Sequence, residues 1–402
     1  MASAAAGPLE GIRVIEFGQL LAGPHCGTLL GDFGADVIKI EQPPDGDPMR
    51  QWGTQRHDGR PLWWSVLGRN KRSVTLDLAH ARGREIAADL CAGADVIVEN
   101  FKPGTMERFG LGPAEVHARN PRCIIARISG YGQTGAYRDR PGFAAGGEAM
   151  AGLRAINGYP DQAPPRSGIS LGDTVTAQAA FQGILLALYA RERGAGGQVI
   201  DAAIVDSCLA LTEAMVIEYE KTGFVRQPTG TVLPKIAPSN VYRSSDGRWV
   251  VIAANHDGLW KRLAALMGRA ELGDDERFST HRARGEHQAL IDEIVQEWAQ
   301  TFTAAELDER INAAGVVCAP VYTAEEIARD PWFREQGLLV DREDEVHGTI
   351  PLPAPVPRLS VTPGGFRHGA RWTVGADTDE VLSELAGISA DELARLRADG
   401  AV

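Results

Sequence analysis

Short apolar runs alternate with stretches of helical spacing through the first half of the chain, and this alternation constrains the fold more than any other feature. Strands separated by helices form parallel sheets, because each helix carries the chain back across one face of the sheet. The sequence therefore predicts an α/β fold whose parallel sheet is covered on both faces. The predicted strands are 12–17, 35–40, 73–78, 95–98, 123–128 and 198–204.

The second half of this region is expected to hold two long helices. A loop rich in Gly, Pro and Arg, at 130–172, leads into a strongly apolar stretch of helical spacing at 173–189. After the last predicted strand, a second long helix is expected to run through to Tyr219.

The pattern changes near residue 225. Ser239–Tyr242 and Trp249–Ile252 flank Asp246-Gly247, a dipeptide typical of tight hairpin turns. We therefore expect a separate, smaller α+β domain at 225–335. The remaining predictions are polar helices at 286–299 and 304–313, an extended Pro-rich connection at 348–362, and C-terminal helices at 378–385 and 390–397.

Composition excludes several classes of protein. The formal net charge of −12 argues against a general nucleic-acid binder, which would carry a basic face. No stretch approaches the roughly 18 consecutive apolar residues that a membrane-spanning helix needs, so we expect a cytoplasmic protein without membrane attachment. The five cysteines lie far apart and form neither a CxxC pair nor a cluster with histidine, so neither a disulfide framework nor a metal site is expected.

Two glycine motifs suggest chemistry without deciding it. Gly18-x4-Gly23 follows the first strand but lacks the full G-x-G-x-x-G fingerprint, which favours an ordinary tight turn over NAD binding. The helix that follows could still receive a phosphate or thioester oxygen at its N-terminus. Gly168-x-Ser170-x-Gly172 matches the nucleophile elbow of α/β-hydrolases, but the Pro-containing residues before it cannot form a central strand.

Two acidic residues are candidates for the chemistry. Asp173 precedes the apolar helix, where an N-cap is the preferred interpretation of the pattern. A carboxylate at that position is expected to have a lowered pKa and to remain ionised, as a carboxylate nucleophile requires. Glu148 is a lone acid among small residues, and a structural role and a catalytic role are equally compatible with its surroundings.

Eight blocks carry a further signal, in order along the chain: residues 8–17, 22–24, 34–41, 70–77, 95–101, 129–135, 172–174 and 197–201. Together they resemble the class III coenzyme A (CoA) transferase family. The resemblance implies a Rossmann-like large domain built from both chain ends, 1–222 and 336–402, with the small domain inserted between them, and an interlocked homodimer. It also implies CoA thioesters as substrates, with no permanently bound cofactor and no metal.

The resemblance assigns roles to particular residues. Asp173 matches the family's nucleophile, which attacks the donor thioester to form an acyl anhydride and then an aspartyl-CoA thioester. Leu21 and Gln42 depart from the family, which often has Gln and Arg there. The expected CoA contacts are Lys71, Arg72, Asn100, Phe101, Arg108 and Tyr131. The expected neighbours of the reacting groups are Gln19, Leu21, Ala22, Glu148, Ala254 and Asn255.

The resemblance also narrows the reaction. Racemases of this fold use a His-Asp pair where this chain has Phe143 and Ala144, so racemisation is not expected. The stretch 140–154 is similar to the branch that uses succinyl-CoA and short dicarboxylic acids, and Arg138, Arg154 and Arg166 are candidates for the second carboxylate. Formyl-CoA or carnitinyl-CoA exchange, a non-catalytic CoA-binding relative and a hydrolase using Ser170 remain alternatives.

Overall fold

The computed structural model describes residues 7–402. The elements of its first part are β1 (Arg13–Glu16), α1 (Ala22–Asp32), β2 (Asp36–Glu41), β3 (Arg56–His57), β4 (Arg60–Pro61), α2 (Trp63–Leu67), β5 (Lys71–Thr75), α3 (Ala81–Ala92), β6 (Val96–Glu99), α4 (Thr105–Arg108), α5 (Pro113–Arg119), β7 (Ile124–Ser129), α6 (Ala144–Met150), α7 (Leu153–Ile156), α8 (Leu171–Glu192), β8 (Val199–Ala203), α9 (Ile204–Leu209) and α10 (Met215–Thr222). Those of the second part are β9 (Ser239–Arg243), β10 (Trp249–Ala253), α11 (Asp257–Leu266), α12 (His281–Glu286), α13 (Gln288–Ala299), α14 (Ala304–Ala313), β11 (Val317–Pro320), α15 (Ala324–Arg329), α16 (Pro331–Glu335), β12 (Leu339–Asp344), β13 (Gly348–Pro353), α17 (Thr378–Ala386) and α18 (Ala390–Ala398). Two short 3₁₀ helices add Pro48–Gln51 and Ala270–Gly273.

A six-stranded sheet in the order β5-β2-β1-β6-β7-β8 is the centre of the first compact unit, which comprises residues 7–153, 166–217 and 332–402. All of its pairings are parallel, so the predicted α/β fold with a parallel sheet is confirmed. The register of β1 pairs Val14 with both Val37 and Val96. Their side chains are buried, as expected for central strands covered on both faces.

Helices cover each face of this sheet with a separate apolar cluster. On one face, α1 and α8 contribute Cys26, Leu30, Ala180 and Ile184. On the other face, α3 and the two C-terminal helices α17 and α18 pack over the strands. The C-terminal segment is also joined to β5 by hydrogen bonds, because the Ser73 N–H donates to an Asp377 carboxylate oxygen over 2.8 Å.

The second compact unit comprises 154–165 and 218–331 and has its own apolar core. Its antiparallel sheet has the order β11-β10-β9. The predicted hairpin at Asp246-Gly247 is present, and Gly247 has the positive φ of 78° that such a turn requires. The two polar helices expected in this region are α13 and α14.

Three local predictions were wrong. The long helix expected to reach Tyr219 is interrupted between α9 and α10, where Glu213 takes a positive φ of 53° that no helix accommodates. The stretch 130–172, expected to be a loop, contains α6 and α7. Part of the Pro-rich connection forms β13, which pairs with β12 in an antiparallel hairpin.

Candidate active site

Three adjacent strands of the parallel sheet, β1, β6 and β7, end beside a pocket of about 380 Å³. Residues 19–22 follow β1 and residues 100–103 follow β6, and both segments line the pocket. The rest of the lining comes from Asp173 of α8, from residues 138 and 140–143 of one loop, and from Trp52, Ile204 and residues 128–130. In open α/β sheets, ligands bind outside the carboxyl ends of the strands, so this pocket occupies the expected position for a site.

The turn between β1 and α1 forms one wall of the pocket. Asn100 fixes it from the end of β6, since its Oδ1 accepts from the Gln19 N–H over 2.8 Å and its Nδ2 donates to the Gln19 carbonyl over 2.9 Å. Gly23 lies so close to this amide that an added Cβ would be 3.1 Å from Asn100 Cγ. A side chain at Gly23 would therefore crowd Asn100 and also Gly18, whose Cα would be 3.0 Å away, so glycine favours this close approach of α1 to the turn.

Asp173 lies in the first turn of α8 and not at its N-cap, which is Ser170. Burial raises the pKa of its carboxyl from 3.8 to about 6, and the negative charge of Glu148 adds to the effect. The expected lowering of this pKa was therefore wrong, because the loss of hydration outweighs the favourable field of the helix N-terminus. A carboxylate of this pKa is still mostly ionised at neutral pH.

Glu148 of α6 is a buried acid directly behind the start of α8. It is 5% exposed, and its Oε1 accepts a hydrogen bond from the Gly172 N–H over 3.1 Å. Glu148 therefore stabilises the first turn of the helix that carries Asp173 and acts on the pKa of Asp173 through its charge. It does not belong to the pocket lining.

The pocket lining within residues 7–402 contains three cationic side chains, Lys102, Arg138 and Arg140, and one carboxylate, Asp173. Arg140 stacks its guanidinium on the Tyr137 ring, with Cζ 3.6 Å from the ring centroid. Sequence reasoning named Arg138 but missed Arg140 and Trp52. The other two cations expected near the substrate, Arg154 and Arg166, do not line this pocket.

Ser170 has none of the surroundings of a nucleophile elbow. The residues before Gly168 form no strand, and the Ser170 side chain makes no capping hydrogen bond within the described residues. Its carbonyl accepts from the Thr174 N–H over 3.0 Å, as in an ordinary helix start. The elbow motif is therefore matched in sequence only.

A pocket at the carboxyl end of a parallel sheet, with one carboxylate among cations, fits a site for an anionic substrate. Residues 9–378 match the sequence profile of CoA-transferase family III. The chain belongs to CoA-transferase family III. It is 48% identical to succinyl-CoA–D-citramalate CoA-transferase of Chloroflexus aurantiacus, over 97% of each chain. It is 40% identical to the beta subunit of succinyl-CoA–L-malate CoA-transferase of the same organism, again over 97% of each chain.

A solved structure extends the similarity to three dimensions. The crystal structure of a CAIB/BAIF family protein from Brucella suis matches this CoA-transferase with a TM-score of 0.84 and 32% sequence identity. The match covers 94% of this chain and all of the other. The family's substrates are CoA thioesters, which are anionic.

The structure brings some of the expected CoA contacts of this CoA-transferase into the pocket and not others. Asn100 and Phe101 line it, together with Gln19, Leu21 and Ala22. Lys71 is 2% exposed, and its ammonium donates to the Pro24 carbonyl over 2.6 Å and lies 2.8 Å from a Glu16 carboxylate oxygen. Lys71 therefore forms a buried ion pair in the interior of the protein and does not line the pocket.

Arg72, Arg108 and Tyr131 also lie outside the pocket lining. Arg72 is paired with Asp36 over 2.6 Å, whereas Arg108 is exposed and donates to the Thr105 hydroxyl over 2.9 Å. Tyr131 packs against the Tyr137 ring. Ala254 and Asn255 belong to the second unit and directly follow β10. Within residues 7–402, no group of three metal-ligating side chains occurs, and no helix is long and apolar enough to cross a membrane.

Proposed function

We propose that this CoA-transferase moves CoA from succinyl-CoA to a short dicarboxylic acid such as citramalate or malate, with Asp173 as the nucleophile. The observation that carries the proposal is the position of Asp173, the one carboxylate in the lining of the described pocket. The relatives named for succinyl-CoA and for citramalate or malate are similar over 97% of this chain.

The surroundings of Asp173 support the nucleophilic role. Its raised pKa makes the carboxylate more basic than an exposed one, and a more basic oxygen is a stronger nucleophile. The pocket is also rich in cations, which suits the anionic CoA thioester and a second carboxylate on the acid. The backbone N–H groups of Leu21 and Ala22, at the start of α1, are our candidates for stabilising the tetrahedral oxyanions.

The reaction then proceeds by four acyl transfers. The Asp173 carboxylate attacks the thioester carbon of succinyl-CoA, giving a mixed anhydride and CoA thiolate. The thiolate attacks the aspartyl carbonyl, giving an aspartyl-CoA thioester and free succinate. The acceptor carboxylate then attacks that thioester and releases CoA thiolate, which finally attacks the acceptor's acyl carbon and regenerates Asp173. Each step exchanges one acyl bond for another, so neither water nor a redox partner is consumed.

The test is transfer from succinyl-CoA to a panel of dicarboxylic and monocarboxylic acids, followed by mass spectrometry of the acyl-CoA products. We expect new dicarboxylyl-CoA products with the native enzyme and none with Asp173→Ala. Incubation with succinyl-CoA alone should add CoA to the peptide that contains Asp173. Transfer by Asp173→Ala near the native rate would contradict the mechanism, and products from monocarboxylic acids alone would contradict the substrate class.

We further propose that Asn100 and Phe101 contact CoA and that the enzyme is a homodimer. The support for a dimer is a set of large apolar side chains that are exposed along α8 and after α9. Leu186 and Tyr189 are 70% and 63% exposed and lie three residues apart on α8, and contiguous exposed apolar side chains mark interaction surfaces. Light scattering should give twice the mass of the chain; a monomer would contradict this proposal. Interlocking of the subunits, and a role for Ala254 and Asn255 over the active site, stay predictions.

A further inference from the structure

The turn 18–20 is held by hydrogen bonds from its backbone to buried or half-buried side chains. The bonded groups are the Gly18 carbonyl, the N–H and carbonyl of Gln19, and the Leu20 N–H. Lys39 Nζ donates to the Gly18 carbonyl over 2.8 Å, and Asn100 binds both the N–H and the carbonyl of Gln19. Asp47 Oδ1 accepts from the Leu20 N–H over 3.0 Å. Side chains from three separate segments of the chain therefore hold the turn that lines the pocket.

Leu20 has a conformation that requires such support. Its φ is 62°, in the left-handed region that branched apolar residues rarely adopt because Cβ crowds the following carbonyl. Strain of this kind persists at functional sites where the surrounding structure over-determines the backbone. The hydrogen bond from the Leu20 N–H to Asp47 is the contact that holds this residue directly.

Asp47 is itself held in one position. It is 2% exposed; its Oδ1 also accepts from the Met49 N–H over 2.8 Å, and its own N–H donates to a Glu41 carboxylate oxygen over 2.8 Å. Its Oδ2 lies 2.8 Å from Lys39 Nζ, which is equally close to Glu16 Oε1. One buried ammonium therefore connects the carboxylate that holds Leu20 with the carbonyl of Gly18.

We propose that Asp47 and Lys39 are positioning residues for CoA transfer: together they hold the turn 18–20 so that the start of α1 faces Asp173 across the pocket. Neither residue lines the pocket, so both act through the backbone of the turn. The proposal rests on the active site that we propose around Asp173. It matters for the rate because donors to a developing oxyanion contribute only when they are held in place before the reaction.

The test compares kcat, KM for succinyl-CoA and thermal stability in variants of the turn. Asp47→Ala is expected to lower kcat by about tenfold to a hundredfold, the range for a small misplacement of reacting groups. KM should change much less. Asp45→Ala, an exposed acid in the same segment, is the matched control and should leave both constants unchanged.

Leu20→Gly separates positioning from simple stability. Glycine adopts a φ of 62° without steric cost, so in the Asp47→Ala background it should restore kcat by about fivefold or more while the melting temperature stays low. Leu20→Val with Asp47 intact should lower kcat, because a β-branched residue resists this conformation. Asp47→Asn keeps an acceptor for the Leu20 N–H but removes the charge that pairs with Lys39. It should therefore lower kcat less than Asp47→Ala does, and it provides a measurement if the alanine variant does not fold.

Two outcomes would overturn the proposal. One is an unchanged kcat in both Asp47 variants. The other is a recovery of kcat by Leu20→Gly only in proportion to recovered melting temperature, since that indicates a role in stability alone. Failure of the proposed active site is distinguishable, because it would appear as transfer by Asp173→Ala whatever the Asp47 variants do.

Discussion

At the scale of the residue, Asp173 combines two properties that usually oppose each other. It lies at a helix N-terminus, which favours its ionised form, yet it is sufficiently buried and near enough to Glu148 that its pKa is raised to about 6. The proposed mechanism uses the ionised form at neutral pH and benefits from its basicity. The same raised pKa has consequences for the rate and for stability.

The first consequence concerns the pH dependence of transfer. Protonated Asp173 cannot attack a thioester, so kcat/KM should fall about tenfold per pH unit below pH 6 and level off above it. The measurement is kcat/KM for succinyl-CoA between pH 4.5 and 8.5. Glu148→Gln keeps an acceptor for the Gly172 N–H but removes a charge, so it should shift the midpoint to lower pH. A midpoint near 4 in the native enzyme would contradict the raised pKa.

The second consequence concerns stability. Because the folded protein binds this proton more tightly than the unfolded chain, Asp173 favours folding below pH 4 and opposes it as the pH rises through 6. Asp173→Asn should therefore be more stable than the native enzyme at pH 8, by about 1–2 kcal/mol once partial hydration has reduced the full shift. Urea unfolding at pH 4 and pH 8 measures the difference, which should largely vanish at pH 4. Equal stability at pH 8 would contradict the prediction.

At the scale of the element, the contact between α6 and α8 determines where Asp173 lies. A Cβ added to Gly172 would be 3.1 Å from Ala144 Cα and equally close to an Ile204 methyl. Gly172 therefore lets the start of α8 approach α6 and α9, and the Asp173 backbone follows directly. Gly172 therefore serves the packing of these helices and not the geometry of a turn.

Gly172→Ala should lower the free energy of unfolding by about 1–3 kcal/mol, as for other overpacked sites, and should reduce kcat because Asp173 moves with its neighbour. Gly168→Ala is the matched control, since a Cβ there meets nothing within 4 Å. Urea unfolding and transfer assays on both variants test the prediction. Equal effects of the two substitutions would contradict it.

The elements that were predictable are those with strong local patterns. The central strands are apolar runs such as Val96–Glu99, and β9 and β10 flank a typical hairpin dipeptide. By contrast, α6 has two adjacent glycines and low intrinsic helix propensity, so its helical form depends on packing that no local pattern reports. Two features of the site could not be predicted for the same reason. Tertiary packing alone brings Lys71 to Glu16 and the charge of Glu148 near Asp173.

At the scale of the whole molecule, the two ends of the chain pack together: the last helices cover one face of the sheet that the first strands form. Leu393 and Leu396 of α18 are each 5% exposed and pack in the same apolar cluster as Ile15 and Ile97. The Asp77 N–H also donates to the Ala401 carbonyl over 2.9 Å. The sheet that carries the pocket is therefore covered on one side by residues from the far end of the sequence.

This packing predicts that substitutions in the buried face of α18 destabilise the sheet and thereby inactivate the enzyme. Leu393→Ala and Leu396→Ala should each lower the free energy of unfolding by about 2–3 kcal/mol, because each removes buried methyl groups and leaves a cavity. The temperature at which half of the transfer activity is lost should fall in both variants, whereas Arg395→Ala, on the exposed side of the same helix, should leave it unchanged. Hydrogen exchange could instead show that the leucine variants unfold only α18 while they keep transfer activity up to the same temperature as the native enzyme. That result would contradict a role of α18 in stabilising the sheet. We expect instead that protection of β1 and β6 and the transfer activity are lost together, since both depend on the same apolar cluster.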